Sequence, residues 1–173
     1  MIEIREYKNQ DHYQLVEMIS IILAEYNMFL DFAGPDKDLE DIQNVYFNNN
    51  GVFFIAELDG NIIGSVAVSK VNDTKCELRK LYVLKEHRGR GFGQILLDKA
   101  IDFASLNGYR KMELEVSQKH QKAISLYEKA GFTKSQTPSC CPRCDFIYIR
   151  NLVRAQRKSN RNGNVTMNGI IEK

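Results

Sequence analysis

The chain has 173 residues, of which 43% are hydrophobic and 27% charged, and its formal net charge is +2. That length predicts one domain with a substantial core, and the composition is that of an ordinary folded protein. So small a net charge gives no electrostatic footprint for nucleic acid. The longest apolar run, Met18 to Ala24 with Ser20 inside it, is far too short to cross a bilayer.

The start, Met-Ile-Glu-Ile-Arg-Glu-Tyr, mixes charges and shows no signal peptide, and the four cysteines then predict a reducing, cytoplasmic compartment. Ile2 and Ile4 alternate with Glu3 and Arg5, the pattern of a short edge strand. From Asp11, an expected N-cap, Leu15, Met18, Ile19, Ile22, Leu23 and Tyr26 recur at helical spacing. An aromatic stretch broken by Gly34-Pro35 follows. Asp38 is expected to cap a second short helix through Leu39, Ile42, Val45 and Tyr46, which ends at Asn48-Asn49-Asn50-Gly51.

The period then changes. Val52–Leu58 and Ile62–Val68 read as strands joined by Asp59-Gly60-Asn61, and Cys76–Leu84 as a third. A helix carries Ile95, Leu96, Ala100, Ile101 and Ala104, and Lys111–Val116 is a strand. A further helix holds Ile124, Tyr127 and Ala130. Phe132–Ser135 and Asp145–Leu152 are closing strands around a Pro/Cys loop. The expected order is β-α-α-β-β-β-α-β-α-β-β, an α/β domain with a mixed sheet and helices on both faces. Residues 1–152 form the domain and 153–173 a polar C-terminal tail, in which Arg154, Arg157, Lys158 and Arg161 cluster.

Between the third strand and the next helix lies Arg88-Gly89-Arg90-Gly91-Phe92-Gly93, the densest glycine cluster in the chain. Strand, glycine-rich turn and helix together make an anion cradle: the backbone can approach a ligand closely and the helix start presents unpaired N–H groups. A Walker A string, G-x-x-x-x-G-K-[ST], does not occur. A dinucleotide G-x-G-x-x-G fails because Gln94 and Leu96 stand where its last glycine belongs. What remains is R-x-x-G-x-G, which taken alone is also compatible with a simple tight turn flanked by solvated arginines.

The segment from Glu77 to Gly93, with its Leu-Arg-Lys-Leu-Tyr-Val-Leu run, closely resembles the acetyl-CoA-binding motif of the GNAT acetyltransferase superfamily. The later string Ala123-Ile-Ser-Leu-Tyr-Glu-Lys-Ala-Gly-Phe132 resembles that superfamily's second signature, in the expected order and separation. The resemblance covers roughly residues 1–152. It implies a GNAT-like, mostly antiparallel sheet of six to seven strands. It also implies transfer of an acetyl group from acetyl-CoA to a primary amine by direct attack in a ternary complex. The acceptor is then a small-molecule amine or a protein or peptide amine, with no metal, nucleic acid or membrane involved, and the chain is a monomer or homodimer. The alternative is a GNAT-like acyl-CoA-binding module that senses or regulates without turnover.

Carried onto this chain, the resemblance assigns the pyrophosphate to Arg88, Gly89, Arg90, Gly91, Phe92 and Gly93. The pantetheine arm would pair with the main chain of Leu81, Tyr82 and Val83, provided that strand splays from Lys111–Val116. Glu77 stands at the position of the general base, which an amine with a pKa of about 10 requires; its other reading is a solvated carboxylate beside Arg79 or Lys80. Glu113 and Glu115 are weaker candidates. Tyr127 is the expected acid for the leaving thiolate, against a purely packed tyrosine. His120 replaces a frequent asparagine that bonds the pantetheine arm, or is a surface histidine. Tyr26, Phe29 and Phe32, with Met28, Tyr46 and the 140–146 loop, are candidates for the acceptor side. Cys140, Cys141 and Cys144 look like a zinc half-site, but with the remaining Cys76 on a distant strand they are read as free thiols.

Overall fold

The computed structural model describes residues 2–153, so most of the expected tail, including its basic cluster, lies outside the described residues. Seven strands form one sheet: β1 (Ile2–Glu6), β2 (Val52–Leu58), β3 (Asn61–Lys70), β4 (Lys75–Val83), β5 (Lys111–Val116), β6 (Thr133–Pro138) and β7 (Phe146–Asn151). Four helices accompany them: α1 (His12–Ala24), the single turn α2 (Ile42–Val45), α3 (Phe92–Leu106) and α4 (Gln121–Lys129). The order along the chain is the expected one. In space the strands run β1-β2-β3-β4-β5-β7-β6, with the last strand inserted between β5 and β6. Every neighbouring pair is antiparallel except β4 and β5.

Alternation along β2 explains the layers. Val52, Phe54 and Ala56 face a core shared with Leu96, Leu97, Ala100 and Ala104 of α3 and Ile124 of α4. Phe53 and Ile55 point the other way, into a second core built on Leu15, Met18, Ile19, Ile22 and Leu23 of α1. A two-residue period in the strand thus meets a helical stripe on each face. Each large side chain so buried contributes about 1.5–3 kcal/mol.

Two expected caps act differently. Asp11 occupies the position before α1, but its carboxylate accepts from the Lys8 N–H (2.7 Å) and takes Nη1 and Nη2 of Arg5 at 2.7 and 2.9 Å. The hydrogen bond from Arg5 holds the Asp11 carboxyl below the usual range despite its burial. For the second helix the cap is Asp41, which accepts from the Asn44 N–H at 3.1 Å. Asp38 is instead drawn inward by a buried cation. Lys80 Nζ lies 2.8 Å from Asp36 Oδ1 and 3.0 Å from Asp38 Oδ1, and the Tyr46 hydroxyl donates to Asp38 Oδ2. A buried ammonium needs carboxylate partners more than an exposed helix needs a cap.

Lys80 also marks an irregularity in β4. Ser65 of β3 faces Tyr82 and Ala67 faces Arg79, so two β4 residues stand against Val66 alone. Lys80 takes a positive φ of 52° there, and its carbonyl accepts from Ser65 Oγ at 2.8 Å. Such a bulge bends the strand and re-aims its side chains.

Candidate active site

β4 and β5 pair only at Lys75–Lys111, Cys76–Met112 and Glu77–Glu113. Beyond Glu77 both strands continue without bonding to each other. The opening gives a cavity of about 650 Å³ that reaches from α1 on one layer to α4 on the other. Glu77 to Val83 form one wall, and Leu114 to Ser117 with His120, Ala123 and Tyr127 form the facing one. β3 occupies only the other edge of β4, so along Leu81–Val83 the edge toward β5 has no strand partner among the described residues.

Glu77 sits at the fork. Its side chain is 27% exposed, with Arg79 Nε 4.0 Å away. Burial pushes its carboxyl above the usual range; Arg79 opposes the shift, while Glu115, Glu113 and Asp38 reinforce it. Arg79 is shared further, at 3.5 Å from Asp38. Tyr127 lies across the cleft, 7% exposed, with its ring against Phe132. Its hydroxyl makes no hydrogen bond among the described residues, and burial holds the phenol well above its ordinary pKa. It therefore stays protonated through the neutral range. His120 lines the same cavity, edge-on to the Tyr26 ring at 4.4 Å. Burial, with help from Arg88 and Lys119, lowers its pKa and keeps the imidazole neutral near pH 7.

The glycine-rich turn presents backbone donors that are unpaired among the described residues. Gly89 and Gly91 have φ of 76° and 86°, and a side chain at either position would meet open space, so it is the left-handed backbone that calls for glycine. The first bond of α3 runs from the Ile95 N–H to the Gly91 carbonyl. Consecutive N–H groups from Gly89 to Gln94 have no partner among the described residues, which is the donor array an oxyanion needs. The two arginines divide. Arg88 makes a bidentate pair with Glu25 at 2.8 Å and bonds the Val83 carbonyl through Nε, fixing the end of α1 to the end of β4. Arg90 lies at the surface, over the Phe92 ring at 5.3 Å.

Of the residues expected on the acceptor side, Tyr26 and Met28 line the cavity, whereas Phe29 (80% exposed) and Phe32 do not. Tyr46 is fully buried in the second core. The wall is completed by the 140–146 loop, whose partners the sequence did not indicate. Arg143 bonds Asp36 Oδ2 and the Phe29 carbonyl, both at 2.7 Å, tying the loop before β7 to the segment after α1. Cys141 and Cys144 also line the cavity. No local signal marks these partners: Arg143 and Asp36 are 107 residues apart, and Arg88 and Glu25 are 63 apart.

A forked sheet, a glycine-rich turn feeding a helix, and an ionisable group on each side of the fork meet at one cleft. The model of the acetyltransferase (GNAT) family matches residues 15–132, and the chain belongs to that family of acetyl-transferring enzymes. It is 30% identical over 131 residues to the probable N-acetyltransferase camello of Xenopus tropicalis. The match covers 70% of this chain and 60% of that protein, so this chain spans well under the relative's full length. A GNAT-family acetyltransferase of Staphylococcus aureus Mu50 superposes with a TM-score of 0.81 at 28% identity, over 88% of this chain and 100% of that one. The PaiA N-acetyltransferase of Thermoplasma acidophilum, solved with coenzyme A, shares the fold with a TM-score of 0.71 at 24% identity over 87% of this chain and 99% of that one. No helix among the described residues is long and apolar enough to cross a membrane.

Proposed function

We propose that this chain transfers an acetyl group from acetyl-CoA to a primary amine by direct attack in a ternary complex. The observation that carries the reading is the fork: the strands separate just past Glu77, and the gap runs between Glu77 and Tyr127. In this reading the pyrophosphate meets the free N–H groups from Gly89 to Gln94, with Arg90 supplying exposed charge. Arg88 acts through the backbone it braces. The pantetheine arm extends along Leu81, Tyr82 and Val83 as an added strand, with His120 on the opposite wall.

An ammonium must lose a proton before nitrogen can attack the thioester carbonyl. Glu77, raised by burial and partly open to water, takes that proton directly or through one water. The N–C bond forms as the C–S bond breaks. The thiolate, of reference pKa about 8.5, is protonated by Tyr127 as its charge develops, and the second proton leaving the nitrogen returns through water to restore the phenol. A main-chain N–H of the β4 edge stabilises the oxyanion. Tyr26 and Met28 contact the acceptor, which is a small-molecule amine or a peptide amine.

The test is CoA thiol release from acetyl-CoA across a panel of amines. Release with at least one amine, lost in Tyr127→Phe, is the expected result. Tight CoA binding with no release on any amine would overturn the reading in favour of a binding module.

A further inference from the structure

The loop before β7 carries chemistry that acetyl transfer does not use. Cys141 and Cys144 are separated by two residues and closed by a turn in which the Cys144 N–H donates to the Cys141 carbonyl at 3.1 Å. That spacing is the one by which chains present two thiolates to a single ion. By sequence these cysteines read as free thiols, because the remaining one, Cys76, belongs to a distant strand. That thiol lies in the main core, where burial pushes it up to about 12. A different third ligand is in place. Glu115, at the end of β5, brings a carboxylate oxygen to the two thiols, and all three donor atoms lie within 4.8 Å of one another.

The surroundings hold this carboxylate in position. Its Oε1 accepts from Ser139 Oγ at 2.8 Å, from the Cys140 N–H at 3.1 Å and from Cys140 Sγ at 3.7 Å, while Oε2 has no partner among the described residues. Ser139 Oγ in turn accepts from the Cys141 N–H at 3.2 Å. The far end of the loop is pinned by the Asp145 N–H on the Val116 carbonyl and by Ser117 Oγ and the Gln118 N–H on the Asp145 carboxylate. Outer bonds of this kind orient metal ligands. Sulfur at about 2.3 Å and oxygen at about 2.0–2.2 Å from a common ion bring donors closer than 4.8 Å, so small side-chain adjustments suffice.

We propose that Cys141, Cys144 and Glu115 form a site for a thiophilic divalent cation, zinc being the best match to two thiolates and one carboxylate. The fourth position is open to water or to a group in the cavity that Cys141 and Cys144 line. Binding releases the two thiol protons to solvent and forms no other covalent bond. An occupied site would fix the wall that an acceptor meets. The site stands independently of the transfer reaction, since neither its ligands nor its readout involve acetyl-CoA.

The full chain, reduced with a phosphine, desalted anaerobically and verified by thiol count, is titrated with Co²⁺ and then Zn²⁺. One equivalent of Co²⁺ should give a thiolate charge-transfer band in the near ultraviolet and tetrahedral bands in the visible, both erased by one equivalent of Zn²⁺. Cys141→Ser and Cys144→Ser should each weaken Co²⁺ binding by about 100-fold or more, and Glu115→Gln by about 10–100-fold. Cys140→Ser should bind as the parent does: its sulfur donates to Glu115 Oε1 at 3.7 Å but lies outside the three-donor cluster, and a serine hydroxyl can replace that bond. Circular dichroism and CoA binding verify that every variant is folded. Absence of the bands at stoichiometric Co²⁺, or their survival in the Cys141→Ser/Cys144→Ser double variant, would overturn the assignment. So would a Cys141–Cys144 disulfide that resists the phosphine, or loss of the bands in Cys140→Ser with retention in Glu115→Gln.

Discussion

Glu77 and Glu113 stand side by side on the last rung that joins β4 to β5. Lys75 neutralises Glu113 at 2.9 Å, whereas Glu77 has only Arg79 at 4.0 Å. The carboxylate at the mouth of the fork is thus the less compensated of the two, and this sets its behaviour with pH.

Because the folded-state pKa of Glu77 is raised, folding favours its neutral form. The associated stability is fully present below the unfolded value of about 4.3 and is lost as pH rises through the folded value. Glu77→Gln, which mimics the neutral form, should therefore keep or raise Tm at pH 8. It should also lower kcat/KM by about 10²–10⁴-fold and erase the acid limb of the rate profile. A variant retaining both rate and limb would remove Glu77 from the base role.

Tyr127→Phe deletes a hydroxyl that bonds to no group among the described residues, so stability should stay within about 0.5 kcal/mol of the parent's. The rate should nonetheless fall by about 10²-fold or more, in kcat rather than KM for acetyl-CoA. Steady-state kinetics beside a melting curve separate this from a packing role, for which the two would fall together.

Gly91 and Gly93 should respond differently to alanine. At Gly91 the φ of 86° makes a Cβ cost about 1–2 kcal/mol, visible as a lower Tm without any ligand. At Gly93 the nearest atom to a new Cβ is Leu126 Cδ2 at 3.6 Å, an ordinary contact within a helix. Gly93→Ala should leave the free protein as stable or raise its stability by up to about 1 kcal/mol. If Gly93 is kept small for the pyrophosphate, the same change should raise Kd for CoA, as calorimetry would read. Unchanged CoA affinity in both variants would reduce the segment to a turn.

Lys80→Met should be among the most damaging changes in the cleft wall, at about 3–5 kcal/mol by urea unfolding at pH 7, because it removes the ammonium that buried Asp36 and Asp38 share. In the parent, burial pushes the Asp36 carboxyl up, but Lys80, the Asp31 N–H and Arg143 together hold it below its ordinary value. Its contribution to stability is then present above the unfolded value of about 3.9 and lost as pH falls through the folded one. The variant should show the opposite trend and gain stability on mild acidification. A loss under 1 kcal/mol at pH 7 would contradict this account.

Much of this was legible before any coordinates. The switch from helical to alternating periodicity after Gly51 located β2 and β3, and glycine spacing excluded the Walker and dinucleotide loops. The residues around Tyr127 single it out, and the fold puts it on the cleft wall. Asp38 shows where such reading fails. Beside a polar helix an aspartate is ordinarily a cap, and only a lysine 42 positions further along the chain, turned inward by a bulge, makes it a buried ion partner. Phe29 fails similarly. It lies in the right segment, but its backbone carbonyl takes the Arg143 bond while its ring remains in solvent.

The sequence by itself determined the order of elements, the two faces of the sheet and the glycine turn, because each depends on the spacing of neighbouring residues and on local backbone sterics. Only the tertiary structure decided that β7 enters beside β5, that β4 and β5 part after Glu77, and that Glu115 meets Cys141 and Cys144. Strand pairing and ion pairing join residues tens of positions apart. Their energies depend on burial, which no local pattern of residue types encodes.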